Sequence, residues 1–193
     1  SSQEGEDGKI SYNHKSFYKR DILSTGLKAR FDLNGYTLES MSSFQLLDDL
    51  QDIDQDFTPQ QMLYVTQDRQ HHMFAQEINL STPDDRRLQF IGGLFGFYQL
   101  RDKTVDVFYG PDAVSAWQLP AEMQKNKTYN KTTGGFAAFG QLSYKNFILQ
   151  KLTATVGLRY DYEFNRLDYN YRIYMNDSEM PQDNFLHRKS YPE

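Results

Sequence analysis

The amino-acid sequence predicts an all-β fold, an antiparallel meander of about six long strands in three hairpins. Three observations support this prediction. Apolar and polar residues alternate with a period of two in several segments, as in strands that have one apolar face. Aromatic residues make up 15% of the chain, with 14 Tyr and 14 Phe, and these residues favour strands. Finally, no segment approaches the roughly 18 consecutive apolar residues of a membrane-spanning helix.

The first hairpin is predicted over residues 22–47. The apolar residues of its first arm share one parity: Leu23, Leu27, Ala29, Phe31 and Leu33. The polar residues of this arm share the other parity: Ser24, Lys28, Arg30 and Asp32. Asn34-Gly35 follows, and both residues tolerate the positive φ angles of a two-residue type I′ turn. The alternation then resumes from Tyr36, with Glu39 on the polar side.

The second hairpin is predicted over residues 70–100. In its first arm, Phe74, Ile78 and Leu80 alternate with Glu77 and Asn79. The segment 82–85, Thr-Pro-Asp-Asp, has the composition of a tight turn. The returning arm, 88–100, is apolar on both parities, so its sequence does not assign its faces.

The third hairpin is predicted over residues 136–164, and its second arm has the most regular alternation in the chain. One parity holds Leu152, Ala154, Val156, Leu158, Tyr160 and Tyr162. The other parity holds Thr153, Thr155, Gly157, Arg159, Asp161 and Glu163. We expect these two sets to lie on opposite faces of the sheet.

Between the hairpins the sequence predicts long polar loops, 48–66, 101–133 and 165–193, with a short helix at 120–125. Short turns therefore alternate with long loops, and the strands are longer than the usual five or six residues. Both features are typical of a transmembrane β-barrel, so we predict that residues 1–193 form part of one. A soluble β-rich binding module would show similar alternation, and it stays an alternative.

On this prediction the polar strand faces line the lumen of the barrel. The candidate lumen-facing residues are Lys28, Arg30, Asp32, Glu39, Glu77, Asn79, Gln141, Arg159, Asp161 and Glu163. Charges of both signs here can pair with each other or contact a passing ligand. Four tyrosines near the predicted strand ends are candidates for an interfacial aromatic girdle: Tyr36, Tyr144, Tyr160 and Tyr162.

Several function classes lack support in the sequence. The chain has no Cys and a formal net charge of -5, which argue against a Cys-based zinc site and against nucleic acid as a partner. No Ser/His/Asp order with a nucleophile elbow is found. The glycines at 92–96 are not followed by the Lys-Ser/Thr ending of a phosphate loop, and in a strand they would instead ease curvature or close packing. We predict no catalytic residue, no cofactor and no enzymatic activity.

An acidic segment in the first predicted loop resembles the start of a calcium loop. It contains Asp48, Asp49, Asp52, Asp54 and Asp56. Counted from Asp52, Phe57 takes the position that needs Gly, and Leu63 takes the position of the bidentate Glu, which excludes an EF-hand. We interpret the segment as a solvated acidic outer loop, and a looser cation site there stays an alternative, because hard cations need several converging oxygens. His71 and His72 are adjacent in a strand, so they should point to opposite faces and cannot chelate one metal together.

Five segments of the chain resemble strands of TonB-dependent outer-membrane receptors. Residues 36–44 (YTLESMSSF) and 74–81 (FAQEINLS) are similar to two characteristic strands of that family, and 93–97 (GLFGF) is similar to the strand that follows them. Residues 138–144 (AFGQLSY) and 152–160 (LTATVGLRY) are similar to its "AFGQ…LT…GLRY" hairpin. The strings occur in family order over residues 22–163.

The resemblance implies a nutrient-uptake barrel in the outer membrane of a Gram-negative bacterium. It implies contact with outer-membrane lipid, and with a plug domain and the TonB complex in the full-length protein. The implied ligand is a small nutrient of the siderophore, cobalamin or glycan class. A porin or an adhesin barrel is a further alternative. No plug or TonB-contacting box is recognisable, so we expect a segment that begins inside a longer protein and that self-associates when isolated.

Overall fold

The computed structural model describes residues 13–146, 148, 152–176, 178–180 and 189–192, the last of these by their backbone alone. They form one antiparallel meander in which sequential strands are neighbours, and β8 pairs with β6 beside β7. The sheet is not closed. The elements are β1 Phe17–Leu33, β2 Tyr36–Asp54, β3 Leu63–Ser81, β4 Leu88–Tyr109, α1 Pro111–Trp117, β5 Met123–Lys145, β6 Thr153–Met175, β7 Ser178–Glu179 and β8 Lys189–Pro192.

The predicted all-β meander of six long strands is confirmed, as is its first turn. Asn34 and Gly35 have φ angles of 40° and 86°, the left-handed conformation that a type I′ turn needs at both positions. This turn fixes the register of β1 and β2, which pair from Leu33 opposite Tyr36 to Phe17 opposite Asp52. We refer to this end of the sheet as the turn end, and to the opposite end as the helix end.

Strands β1 to β6 pair residue for residue, without a bulge in any of the five ladders. Directly paired residues lie on the same face, and successive residues lie on opposite faces. The strand parity therefore assigns each side chain to one side of the sheet. It also assigns the faces of β4, where the sequence is apolar on both parities.

The strands are longer than the sequence predicted, and the predicted long loops are largely strand. Most of segment 48–66 belongs to β2 and β3, and only residues 55–62 connect these two strands. Most of segment 101–133 belongs to β4 and β5, and residues 110–122 connect them. Residues 165–175 continue β6. These extensions carry polar residues on both faces, so they lack the regular alternation from which the strands are predicted. The ladders continue through them because backbone pairing does not depend on side-chain polarity.

The helix predicted at 120–125 is wrong, because Met123 already begins β5. The helix is instead α1, within the connection between β4 and β5. Pro111 occupies its first turn, where a proline has no hydrogen bond to lose and its φ already suits a helix. Gln118 ends the helix in the left-handed conformation, with a φ of 52°.

Within the part of the chain that the structure describes, the sheet is a single layer without a packed core. Among the described residues, the buried hydrophobic side chains are Val65, Ala75, Ala113 and Ala137, none of them large. A soluble sandwich would bury its apolar face against a second sheet. Here that face is uncovered, so its large side chains are exposed.

Candidate functional site

One side of the sheet carries a continuous apolar surface at the turn end, which we call the apolar face. Cross-strand rows bring together residues that are distant in sequence, such as Phe31, Leu38 and Leu80. Leu27, Leu94 and Leu158 are 70%, 62% and 84% exposed. The apolar face contains Leu23, Leu27, Phe31, Leu38, Phe44, Phe74, Ile78, Leu94, Tyr98, Phe136, Leu142, Val156, Leu158, Tyr160 and Phe164.

The faces of β6 are those that the sequence predicted. Ala154, Val156 and Leu158 pair with Tyr144, Leu142 and Gly140 on the apolar face. Thr153, Thr155 and Arg159 pair with Lys145, Ser143 and Phe139 on the other face. Leu152 precedes the first residue of β6.

A small polar cluster lies in the middle of the apolar face. The amide nitrogen of Gln76 donates to Ser40 Oγ at 2.9 Å, and Ser42 Oγ donates to Gln76 Oε1. The three side chains satisfy one another across β2 and β3, which lowers the cost of placing them in apolar surroundings.

Of the four tyrosines predicted for an aromatic girdle, two lie near strand ends and two do not, and the girdle itself stays a prediction. Tyr36 and Tyr144 lie at the turn end, where the guanidinium groups of Arg86 and Arg87 stack on their rings at 5.5 and 4.9 Å. Tyr160 and Tyr162 instead lie within the apolar face, beside Phe136. The strands continue well past these two tyrosines, so neither is near a strand end.

The opposite side of the sheet, which we call the polar face, carries all ten predicted lumen-facing residues. Many of their charges are paired in the turn-end half. Lys28 lies 3.1 Å from Glu39, which also lies 3.8 Å from Arg30. The described residues of this face include Lys28, Arg30, Asp32, Glu39, Glu77, Asn79, Gln141, Arg159, Asp161 and Glu163.

A second paired group lies on β6. Arg159 donates hydrogen bonds from Nε and Nη2 to the two carboxylate oxygens of Asp161, the shortest at 2.7 Å. Its guanidinium lies over the ring of Phe139 at 5.7 Å. Asn165 donates to Glu163 at 3.0 Å. Within the described residues, the turn-end half of the polar face thus compensates many of its own charges.

Gly93 allows close packing in this half. A Cβ atom at this position would lie 2.1 Å from Asn79 Oδ1, 2.6 Å from the Phe139 ring and 2.8 Å from the Ile78 carbonyl oxygen. The interpretation of these glycines as close-packing positions is supported at Gly93. Gly140, by contrast, has open space where its Cβ would be.

In the helix-end half of the polar face, Asp49 is held between two arginines of neighbouring strands. Arg20 donates to its Oδ2 at 2.9 Å, and Arg69 lies 3.8 Å from the same oxygen. Burial opposes ionisation of Asp49, but hydrogen bonds from Arg20 and Tyr18 outweigh it, so the pKa of Asp49 lies below its usual value. Its Oδ1 is buried without a partner.

Within the described residues, the same half of the polar face holds cations for which no carboxylate partner is found, and a pair of tyrosines. Arg101 is directly opposite Lys131, and Lys103 is directly opposite Arg69 and Tyr129. The rings of Tyr129 and Tyr169 lie 4.9 Å apart. We call this set the cation–tyrosine surface: Arg101, Lys103, Lys127, Lys131, Tyr129 and Tyr169. The sequence does not reveal this surface, because residues 101–133 and 165–193 lack clear alternation and are predicted as loops.

The other side of the sheet is acidic at the helix end, above the apolar face. This acidic surface consists of Asp21, Asp48, Asp52, Asp54, Asp68, Asp102, Asp106 and Asp168. The predicted acidic loop is therefore mostly strand. Asp48, Asp52 and Asp54 lie on the acidic surface, and Asp49 lies on the polar face.

The individual aspartates of that segment have structural partners. Asp54 accepts from the backbone N–H of Asn13 at 3.2 Å, and Asp52 lies 2.7 Å from the His14 ring nitrogen. Asp56 accepts from the backbone N–H groups of Thr58 and Leu63 and stabilises the 55–62 connection. Among the residues that the structure describes, no group of three His, Asp or Glu is placed to hold a metal ion.

The paired histidines lie on opposite faces, as predicted. His72 pairs with Leu46 and Leu100 on the apolar side, and His71 pairs with Leu47 and Arg101 on the polar face. The two imidazoles therefore cannot share one ion. No helix in the described parts of the chain is both long and apolar enough to cross a membrane.

The chain is similar in structure to the ferric yersiniabactin uptake receptor FyuA from Yersinia pestis. The TM-score is 0.58 at 16% sequence identity, over 91% of this chain and 25% of that receptor. The chain thus spans about a quarter of the receptor's length, and at this identity the likeness concerns the fold. No protein-family model matches the chain, and no curated protein matches it.

Proposed function

We propose that the chain is part of the barrel wall of a TonB-dependent receptor, which takes up a nutrient across the outer membrane of a Gram-negative bacterium. The observation that supports this most directly is the apolar face. It is continuous across six strands, its large side chains are exposed, and no second layer covers it among the described residues. Lipid is the solvent that such a face requires.

The dimensions of the apolar face suit a bilayer. On β6 it runs from Ala154 to Phe164 and then gives way to Arg166 and Asp168. A strand of this length covers about 35 Å, which at a tilt of about 45° spans about 25 Å, the height of the apolar band of an outer-membrane barrel. The helix-end halves of the strands would then extend beyond the membrane on the outer side.

The partners follow from this placement. The apolar face would contact outer-membrane lipid, and the polar face would line the lumen and contact a plug domain that the TonB complex moves. The ligand would belong to the siderophore, cobalamin or glycan class. FyuA takes up ferric yersiniabactin, and its fold likeness agrees with uptake as the function of this chain. The receptor-like strings at 36–44 and 138–160 favour a receptor over a porin or an adhesin.

The experiment that tests this proposal measures contact with acyl chains on each face. In a Trp117→Phe background, Val156→Trp places an indole on the apolar face, and Thr155→Trp places one on the polar face. Both variants are refolded into vesicles whose lipid tails are brominated. We expect strong quenching of the Trp at position 156 and several-fold weaker quenching at position 155. Equal quenching at the two positions contradicts a membrane-embedded strand.

A further inference from the structure

We propose that the cation–tyrosine surface binds a multiply charged anion that contains a planar, unsaturated ring. This inference rests on the proposed function and narrows its ligand class, because neutral glycans and a largely uncharged cofactor do not fit the site. The site lies at the helix end of the polar face, where a ligand arriving from outside would first meet the lumen wall.

The helix end of the polar face has an excess of positive charge. From the level of Arg101 to the helix end, Asp49 is the one carboxylate among the described strand residues of the polar face. Asp49 is already engaged by Arg20 and Arg69. The cations of the cation–tyrosine surface therefore have no carboxylate partner within the described strands.

The register of β3, β4 and β5 places like charges directly opposite each other. Arg101 faces Lys131 across β4 and β5, and Lys103 faces Arg69, which also pairs with Asp49, across β3 and β4. Directly opposed like charges destabilise a sheet. An anion bound between such a pair removes the repulsion and makes charge-assisted hydrogen bonds with both side chains. The arrangement is thus unfavourable when empty and favourable when occupied.

The tyrosine rings beside these cations favour a ligand with a planar ring. Lys103 is directly opposite Tyr129, which is directly opposite Tyr169, so cation and rings occupy one cross-strand row. Burial, followed by the proximity of Tyr129 and Tyr171, raises the pKa of Tyr169 above its usual value. The Tyr169 hydroxyl is therefore a protonated donor at neutral pH, and the rings of Tyr129 and Tyr169 offer apolar edges to a planar group. Lysines alone would favour any ligand with negative charge, and the tyrosines add a preference for a ligand that contains a ring.

The charge on the other side of the sheet agrees with this assignment. The acidic surface lies at the same levels as the cation–tyrosine surface, with Asp102 next to Arg101 and Lys103 in β4. An approaching anion is repelled by the outside of the wall and attracted by its inside. Such an arrangement raises the local concentration of the anion at the lumen face.

The experiment uses a fluorescent probe, 8-hydroxypyrene-1,3,6-trisulfonate, a planar anion with three sulfonates. Its anisotropy is titrated with the chain in neutral detergent, where binding does not depend on insertion into vesicles. Citrate serves as an anion without a ring, and maltohexaose as a neutral ligand. We expect saturable binding of the probe that weakens with salt, weaker competition by citrate, and no competition by maltohexaose.

Matched variants distinguish an effect of the site on probe binding from an effect of the net charge of the chain. Lys103→Glu/Lys131→Glu should weaken probe binding at least about tenfold, because two attractive charges become repulsive. Lys19→Glu/Arg172→Glu changes the net charge equally on the opposite side of the sheet and should leave binding within about twofold. Lys103→Gln/Lys131→Gln is the milder pair if the reversed charges prevent folding, and it should weaken binding several-fold.

Any one of three results overturns the proposal. The probe shows no saturable binding, the two charge-reversed double variants lose probe binding equally, or maltohexaose displaces the probe. These results are distinguishable from failure of the proposed function. A chain that binds the probe in detergent but shows equal quenching at positions 155 and 156 in vesicles has the anion site without the membrane strand. A chain that shows stronger quenching at position 156 than at position 155, but no saturable probe binding, is a membrane barrel with a different ligand class.

Discussion

Asp48 and Asp49 are consecutive residues of β2 that lie in opposite electrostatic environments. Asp48 is directly opposite Asp21 on the acidic surface, whereas Asp49 lies between Arg20 and Arg69 on the polar face. The side chain of Asp49 is 2% exposed. Removing one charge at each position should therefore have different effects on the folded state.

We expect Asp49→Asn to lower the free energy of unfolding by about 1 kcal/mol, because it removes an ion pair whose arginines are partly exposed. Asp48→Asn is the matched control. It should leave stability unchanged or raise it slightly, because it removes a like-charge contact with Asp21. Urea unfolding followed by circular dichroism in detergent measures both. A larger loss for Asp48→Asn contradicts the assigned faces.

The stabilisation by Asp49 should depend on pH. Its pKa is lower in the folded chain than in the unfolded chain, where an aspartate has a pKa of about 3.9. The contribution is therefore fully present above that value and is lost as the pH falls through the lower folded pKa. The stability difference between the wild type and Asp49→Asn should be constant between about pH 5 and 7 and shrink below about pH 4. A difference that grows on acidification contradicts this mechanism.

Gly93→Ala should destabilise the sheet by about 1–3 kcal/mol, because the new methyl group meets Phe139, Asn79 and a backbone oxygen. Gly140→Ala is the matched control, since a Cβ there meets nothing within 4 Å. It should be neutral or slightly stabilising. Equal unfolding midpoints for the two variants in detergent exclude the packing role of Gly93.

The isolated chain should self-associate in the absence of detergent. The outer edge of β1 is unpaired among the described residues, and β7 and β8 cover only short parts of the β6 edge, at Tyr174–Met175 and Phe164–Leu167. Exposed edges and an exposed apolar face both promote association. Multi-angle light scattering should show oligomers or larger assemblies. A monodisperse monomer without detergent supports the soluble binding module instead.

The sequence predicted the turn-end half of the sheet because that half has one apolar and one polar face. Alternation at Leu23–Leu33 and at residues 152–162 was sufficient to assign strands, faces and the predicted polar residues. The helix-end half is polar on both sides, so the same residues resembled loops. The cation–tyrosine surface could not be predicted for a further reason: Arg101 and Lys131 meet only through the register of β4 and β5, which a single sequence does not specify.

The central claim is that the apolar face contacts lipid, and two arginine substitutions one residue apart test it most directly. Val156 lies on the apolar face opposite Leu142, and Thr155 lies on the polar face, where it hydrogen-bonds Ser143 at 2.9 Å. In phospholipid vesicles, Val156→Arg should lower the free energy of unfolding by about 2–4 kcal/mol. Thr155→Arg should change it by about 0.5 kcal/mol, as for a solvated site. Equal losses for the two variants, or a larger loss for Thr155→Arg, would contradict the assignment of the apolar face to the membrane.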